Sequence, residues 1–286
     1  MKKGLLISLL IAPTLALITG VSLYPMFYAF NVSVHTTRYL QIGDFVGFQN
    51  FISLFQNPLI HQVFQVTLKY VLGSLLCTMP LALLLAVILN RPLRFIQIFR
   101  VLILLPWVFS EVTAGMLWSW VLNPSFGPVN YILSQMGFDK ILFLGSPETA
   151  LPTVMFINIW WSYALPTVLI LAALQTVSPE LYEAARIDGA NPWAIFKHVT
   201  FPLISPTVVV AAIQLTLIYF NKLTLALVLT GGGPLQKTMT LSLQTYMEAF
   251  QNYRMNMASS LGIIILLCNI LFSVSYVSSI RKEAAN

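Results

Sequence analysis

The chain has 286 residues, 58% of them hydrophobic and 8% charged, with a mean hydropathy of +0.82. A soluble domain carries about 25% charged residues, so this chain lacks the polar surface that water requires and reads as an integral membrane protein. Its 15 Lys and Arg exceed its 9 Asp and Glu, but they are scattered at the ends of apolar runs, which excludes the one-sided basic face of a nucleic-acid binder.

A spanning helix needs about 20 mostly apolar residues. In chain order six stretches meet that need: 4–30, 70–89, 101–122, 150–175, 203–230 and 258–280. The first follows only Met1-Lys2-Lys3, yet it is too long for a cleaved signal and lacks a small-residue cleavage pattern, so it is read as a span. The expectation is one all-α membrane domain, 1–286, with six transmembrane helices. If the N-terminus is cytoplasmic, the inside holds Lys2, Lys3, Arg91, Arg94, Arg100, Arg186, Lys197, Arg281 and Lys282, and the outside holds Arg38, Lys140, Lys237 and Arg254. Cytoplasmic loops are enriched in such residues, so both termini are expected inside, with 32–69, 123–149 and 231–257 outside. In the first of these outer segments Phe48, Phe51, Ile52 and Phe55 recur at helical spacing, which suits a short helix in the membrane interface or, equally, aromatics packed on the ends of spans. Cys77 and Cys268 fall in apolar runs and read as two buried thiols, with no metal spacing.

The loop between the fourth and fifth spans breaks the apolar pattern, because Glu180, Glu183 and Asp188 are three of the nine acidic residues. Ser178-Pro179-Glu180 is a helix start: a capping hydroxyl, proline at the first helical position and an acid in the first turn. The helix is expected to stop near Asp188-Gly189, where glycine takes the left-handed cap. Asn191-Pro192 repeats the start signal for a second short helix carrying Trp193, Phe196 and His198. Pro202 and Pro206 then mark the entry to the fifth span.

This stretch resembles the EAA loop of membrane-spanning subunits of ATP-binding-cassette (ABC) importers. The form here, Glu183-Ala184-Ala185, then Asp188-Gly189-Ala190, Phe196, Pro202 and Pro206, is that of the carbohydrate-uptake branch. Gly47-Phe48-Gln49-Asn50-Phe51, Phe99-Arg100 through Leu105-Pro106, Gly115-Met116-Leu117-Trp118, Leu171-Ala172-Ala173-Leu174-Gln175 and Leu229-Thr230-Gly231-Gly232-Gly233-Pro234 also resemble that family. A departure is Phe220-Asn221-Lys222, where many relatives carry Phe-Asp. The resemblance implies a type I ABC importer transmembrane fold whose loop, 178–202, is a coupling helix seated in a cleft of an ATPase subunit. On that footing Glu183 and Asp188 are polar anchors, Gly189 makes the turn, and Ala184, Ala185 and Ala190 allow close packing. It further implies an ATPase dimer that binds the ATP and Mg, a second permease that is a related but different chain, and an extracytoplasmic solute-binding protein. The setting is the inner membrane of a prokaryote, and the solute is a sugar or, alternatively, another small solute such as glycerol phosphate.

Two other readings are weaker. A stand-alone secondary transporter needs intramembrane charges arranged for ion coupling, and only Glu111 and Lys222 fall inside spans. An enzyme needs a catalytic cluster, and His35, His61 and His198 lie far apart in predicted loops with no partner at ligand spacing. Gly231-Gly232-Gly233-Pro234-Leu235-Gln236-Lys237-Thr238 resembles a phosphate-binding loop only superficially, since Gln236 stands where glycine must precede the lysine. No other such loop exists in the sequence, so ATP hydrolysis is not expected of this chain. For the solute path, ionisable groups inside a bilayer are costly and point to function. Glu111 and Lys222 are therefore candidates, joined by Gln214, Tyr219 and Asn221, whose polar groups can meet sugar hydroxyls. Asn158, Trp160, Trp161 and Tyr163 on the fourth span are further polar or aromatic groups.

Overall fold

The computed structural model describes residues 2–92 and 94–285, with side chains for 10–92 and 94–278. It is built mainly of helices, in this order: α1 (2–33, with a π turn at Ile18–Leu23), the strands β1 (His35–Arg38) and β2 (Gln41–Phe45), α2 (Gln49–Gln56), α3 (Pro58–Leu89), α4 (Ile96–Val108), α5 (Glu111–Val121) and α6 (Pro128–Gln135). There follow α7 (Ala150–Ser162), α8 (Ala164–Gln175), α9 (Pro179–Ile187), α10 (Pro192–Phe220), α11 (Thr224–Thr230), α12 (Leu241–Tyr246) and α13 (Met255–Ala285). Among the described residues four helices are long and apolar enough to cross a membrane: Leu10–Ser33, Pro58–Leu89, Pro192–Phe220 and Met255–Ser278. Two bent pairs add to them, α4 with α5 at 92° and α7 with α8 at 42°.

Three of the expected spans are not continuous helices, and the fourth span bends at Tyr163, between α7 and α8. The third breaks at Phe109, which is extended, and Ser110, whose side chain caps α5 by accepting from the Thr113 amide. At 11 residues α5 is about 16 Å long, half of a bilayer core of about 30 Å. The fifth begins earlier than expected and ends at Phe220; Thr224–Thr230 is a separate helix after the break at Asn221–Leu223. The second short helix of the loop is likewise no separate element, because it runs straight into α10. A π turn at Phe196–Thr200 lies just ahead of Pro202. Such a wide turn accommodates a proline, which cannot supply the N–H of the regular ladder.

The chain forms two units, each described by itself: 1–61 with 244–267, and 62–243 with 268–286. In the first, the hairpin pairs His35 with Phe45 and Arg38 with Gln41, an element the sequence reading did not foresee. Buried Asn50 on α2 donates to the Ser33 and His35 carbonyls at 2.8 and 2.9 Å and accepts from Asn256 on α13 at 2.9 Å. Phe48, Ile52 and Phe55 are exposed on the side away from Asn50, and Phe51 is half-buried. In the second unit, Ala82 and Ala86 of α3 pack with Ile170 and Leu174 of α8 and Ile204 of α10. Leu72, Leu76, Leu84 and Ile88 form an outward apolar stripe along α3. Cys77 adjoins that stripe and is exposed, and Cys268 is half-buried, so the expectation of two buried thiols is corrected.

Candidate functional site

Three helix breaks meet around one buried cation. Lys222, in the break between α10 and α11, has a side chain 1% exposed, and its Nζ lies 3.2 Å from Glu111 Oε1. The same Nζ sits 3.8 Å from the centroid of the Trp161 ring. Trp161 is one residue from the end of α7, and its indole Nε1 donates to the Phe109 carbonyl at 2.9 Å, in the break between α4 and α5. Each charge also suits its backbone. Glu111 opens α5, where free N–H groups favour an anion, and Lys222 follows the end of α10, where free carbonyls favour a cation. Breaks in the backbone are tolerated at membrane depth only where protein or a polar cavity meets the freed groups. A charged pair with an aromatic lid is one way to meet them.

The other path candidates divide by exposure. Tyr219 is 1% exposed, and its hydroxyl lies 3.0 Å from Thr78 Oγ1 and 2.7 Å from Ser162 Oγ. That makes it a bridge joining α10 to α3 and α7, a role the sequence reading did not separate from the path. Gln214 and Asn221 lie on an open face of α10 with Val210 and Leu217, at positions one, two and three turns apart. Asn221 donates to the Leu217 carbonyl at 2.8 Å. Asn158 is fully buried, and neither side-chain polar atom finds a partner among the described residues.

The loop is formed as its residues dictate. Ser178 Oγ accepts from the Glu180 amide at 3.3 Å and starts α9. At the other end the Ala190 amide reaches the Ala185 carbonyl at 3.0 Å and the Gly189 amide reaches Arg186 at 3.1 Å, the paired bonds of a Schellman cap. That cap puts Gly189 at φ +78°, with no atom within 4 Å of where a Cβ would stand. A side chain there meets open space, so the constraint is the left-handed backbone and not a clash. Asn191 Oδ1 accepts from the Ala194 amide at 2.8 Å and opens α10. Glu183, Ala184, Asp188 and Gly189 are exposed, and Ala185 and Ala190 are half-buried. Beside them Leu181, Ile187 and Trp193 are 44%, 86% and 69% exposed. The sequence reading took no account of Ile187, although its place one turn after Glu183 puts it on the same face.

The glycine loop has no cradle to offer a phosphate. Its amides are spent on the loop itself: Gly233 to the Thr230 carbonyl, Gly232 to Thr230 Oγ1, Lys237 to Pro234 and Thr238 to Gly232. Thr238 Oγ1 closes it, 2.6 Å from Thr230 Oγ1 and 2.7 Å from the Gly233 carbonyl. A phosphate loop needs those N–H groups free and convergent.

Residues 60–282 match the family described as binding-protein-dependent transport system inner membrane component. The chain belongs to that family. It is 30% identical to the sulfoquinovosyl glycerol transport system permease protein SmoG of Agrobacterium fabrum, over 98% of this chain and 91% of that one. It is also 30% identical to the trehalose/maltose transport system permease protein MalF of Thermococcus litoralis, over 94% and 91% of the two chains. Its structure superposes on a chain of a bacterial ABC transporter involved in the import of the acidic polysaccharide alginate. The TM-score is 0.84 at 26% identity, with 98% of this chain and 96% of that one covered. The protein is thus a multi-pass inner-membrane permease of a binding-protein-dependent ABC importer, with the type I importer fold.

Proposed function

We propose that this permease passes a sugar, or a small polyol glycoside, between itself and a second, related permease. In this reading an ATPase dimer docks on the loop around α9 and an extracytoplasmic protein delivers the solute. The observation that carries the coupling role is the outward face of α9. Glu183, Ile187 and Asp188 stand exposed on a helix whose cap is complete, so this chain itself leaves that face uncovered. A charged group beside a large apolar one on a rigid short helix is suited to a partner's cleft, where both are desolvated together. Both termini and the loop are cytoplasmic in this reading, from the nine-to-four division of basic residues. Nucleotide-driven closure of the ATPase pair pulls on α9, and α8 and α10 carry the movement inward because they are joined to the loop at both ends.

For the solute, the open face of α10 carrying Gln214 and Asn221 offers hydrogen bonds worth about 0.5–1.5 kcal/mol each, weak enough for release. Lys222 is matched by Glu111, so the buried cation is not available to a phosphate. That favours a neutral sugar over glycerol phosphate. Glu111, Lys222 and Tyr219 then hold the broken helices that shape the path, and Gln214 and Asn221 touch the solute. The test is co-purification and transport. An ATPase should come down with the tagged wild-type permease, and Asn221→Leu should lower sugar uptake with assembly unchanged. Loss of assembly in Asn221→Leu would make that side chain interhelical glue, and absence of any ATPase would refute the docking role.

A further inference from the structure

We propose that a cavity between the end of α3 and the inward face of α9 binds a phosphate-bearing anion, with an anionic phospholipid headgroup as its source. The cavity has a volume of about 340 Å³. Among its lining, Leu174 and Thr200 are buried and Phe196 is half-buried, whereas Arg91 and Arg186 are exposed with Tyr182 beside them. Leu174, Ile195 and Phe196 give it an apolar wall, and Arg91 and Arg186 are the charged residues of its lining. Among the described residues the ion pairs within 4.0 Å are Lys222–Glu111 and Arg254–Glu248. Arg91 and Arg186 therefore line one cavity with no carboxylate to balance either.

Two like charges at one small opening repel each other, and an anion held between them removes that cost. Guanidinium forks match the oxygens of a phosphate in pairs. The position suits a lipid, because Arg91 stands two residues beyond the end of α3, a helix long and apolar enough to cross a membrane. Basic pockets at the ends of spans attract acidic headgroups for this reason, and the apolar residues of the lining suit the start of the acyl chains. Tyr182 and Arg186 are one turn apart on α9, on a different face from Glu183 and Ile187. A bound headgroup would tether the loop to the membrane while leaving the docking face free. The site is independent of whether that face takes an ATPase.

The experiment uses the purified transporter complex in vesicles of phosphatidylcholine alone and in vesicles of equal parts phosphatidylcholine and phosphatidylglycerol. Its readouts are the thermal midpoint of this subunit and the phosphatidylglycerol retained on re-extraction, neither of which depends on ATP coupling. Phosphatidylglycerol should raise the midpoint of the wild type. Each of Arg91→Gln and Arg186→Gln should weaken retention by about tenfold, and the double variant should abolish the shift. Lys197→Gln, a charge outside the cavity, should keep it. A shift reproduced in phosphatidylcholine by inorganic phosphate, and lost in the double variant, would keep the anion site and assign it a soluble ligand. No shift with either probe, or a shift that persists in the double variant, overturns the proposal.

Discussion

Lys222 and Glu111 are asymmetric members of one pair, and that asymmetry makes a sharp prediction. The lysine side chain is 1% exposed and the glutamate 24%, so removing the glutamate strands the more buried charge. Breaking a buried pair from one side costs about 3–5 kcal/mol. Glu111→Gln should therefore destabilise the subunit by about that amount, and Lys222→Met by less, because Glu111 keeps some water and the start of α5. Thermal unfolding of the purified complex measures both. Equal, negligible effects would mean that the pair does not hold the breaks together. Gly189 makes a second prediction at this scale. An L-residue in the left-handed region costs about 1–2 kcal/mol, and nothing fills the space beside it. Gly189→Ala should cost about that much, and Gly189→Asn clearly less, since asparagine tolerates this region. A larger loss for asparagine would show a steric limit in place of a conformational one. Glu111 and Lys222 stood out in the sequence as intramembrane charges, and Gly189 as a cap. The pairing of the two charges was not legible, because they lie far apart along the chain and only the meeting of two helix breaks brings them together.

Among the elements, α5 packs tightly against α11 at Gly115. A Cβ there would lie 2.8 Å from Val228 Cγ1 and 3.2 Å from Val228 Cβ, a branched side chain with little room to turn. Gly115→Ala should cost about 1–3 kcal/mol by overpacking, and Val228→Ala should restore most of it in the double variant. Independent effects of the two substitutions would contradict this packing. The sequence offered Gly115 only within a run that resembles the importer family, although small residues are how helices close on one another where lipid supplies no hydrophobic drive. It did not show where the third and fifth spans break. The runs 101–122 and 203–230 stay apolar on average across both breaks, so hydropathy alone reads each as one rod. The local cues were Ser110 before Glu111 and the Asn221-Lys222 pair, and a capping residue inside an apolar run is a weak signal. The hairpin at 35–45 was hidden for another reason: strands this short carry too few alternations to outweigh a membrane-wide pattern.

For the whole molecule, composition was enough to place the chain in a membrane, and the loop around α9 was enough to suggest an importer. Family membership and the fold agree with both. The proposed orientation rests on the basic residues and is open to a direct check. On a cysteine-free background, Lys237→Cys should react with an impermeant thiol reagent in intact cells, and Lys197→Cys should react only after permeabilisation. The reverse pattern would place the loop outside and remove the basis for docking. We propose that α9 passes the work of ATP hydrolysis to the spans, and solute-stimulated ATP hydrolysis in the reconstituted complex is the measurement closest to that role. Removing a charge-assisted hydrogen bond from a docked face costs about 1.5–3 kcal/mol, or roughly tenfold or more in docking affinity. The account predicts that Glu183→Ala leaves the subunit folded in the membrane but sharply reduces stimulation of the ATPase by solute-loaded binding protein. Wild-type stimulation and uptake in Glu183→Ala would contradict it.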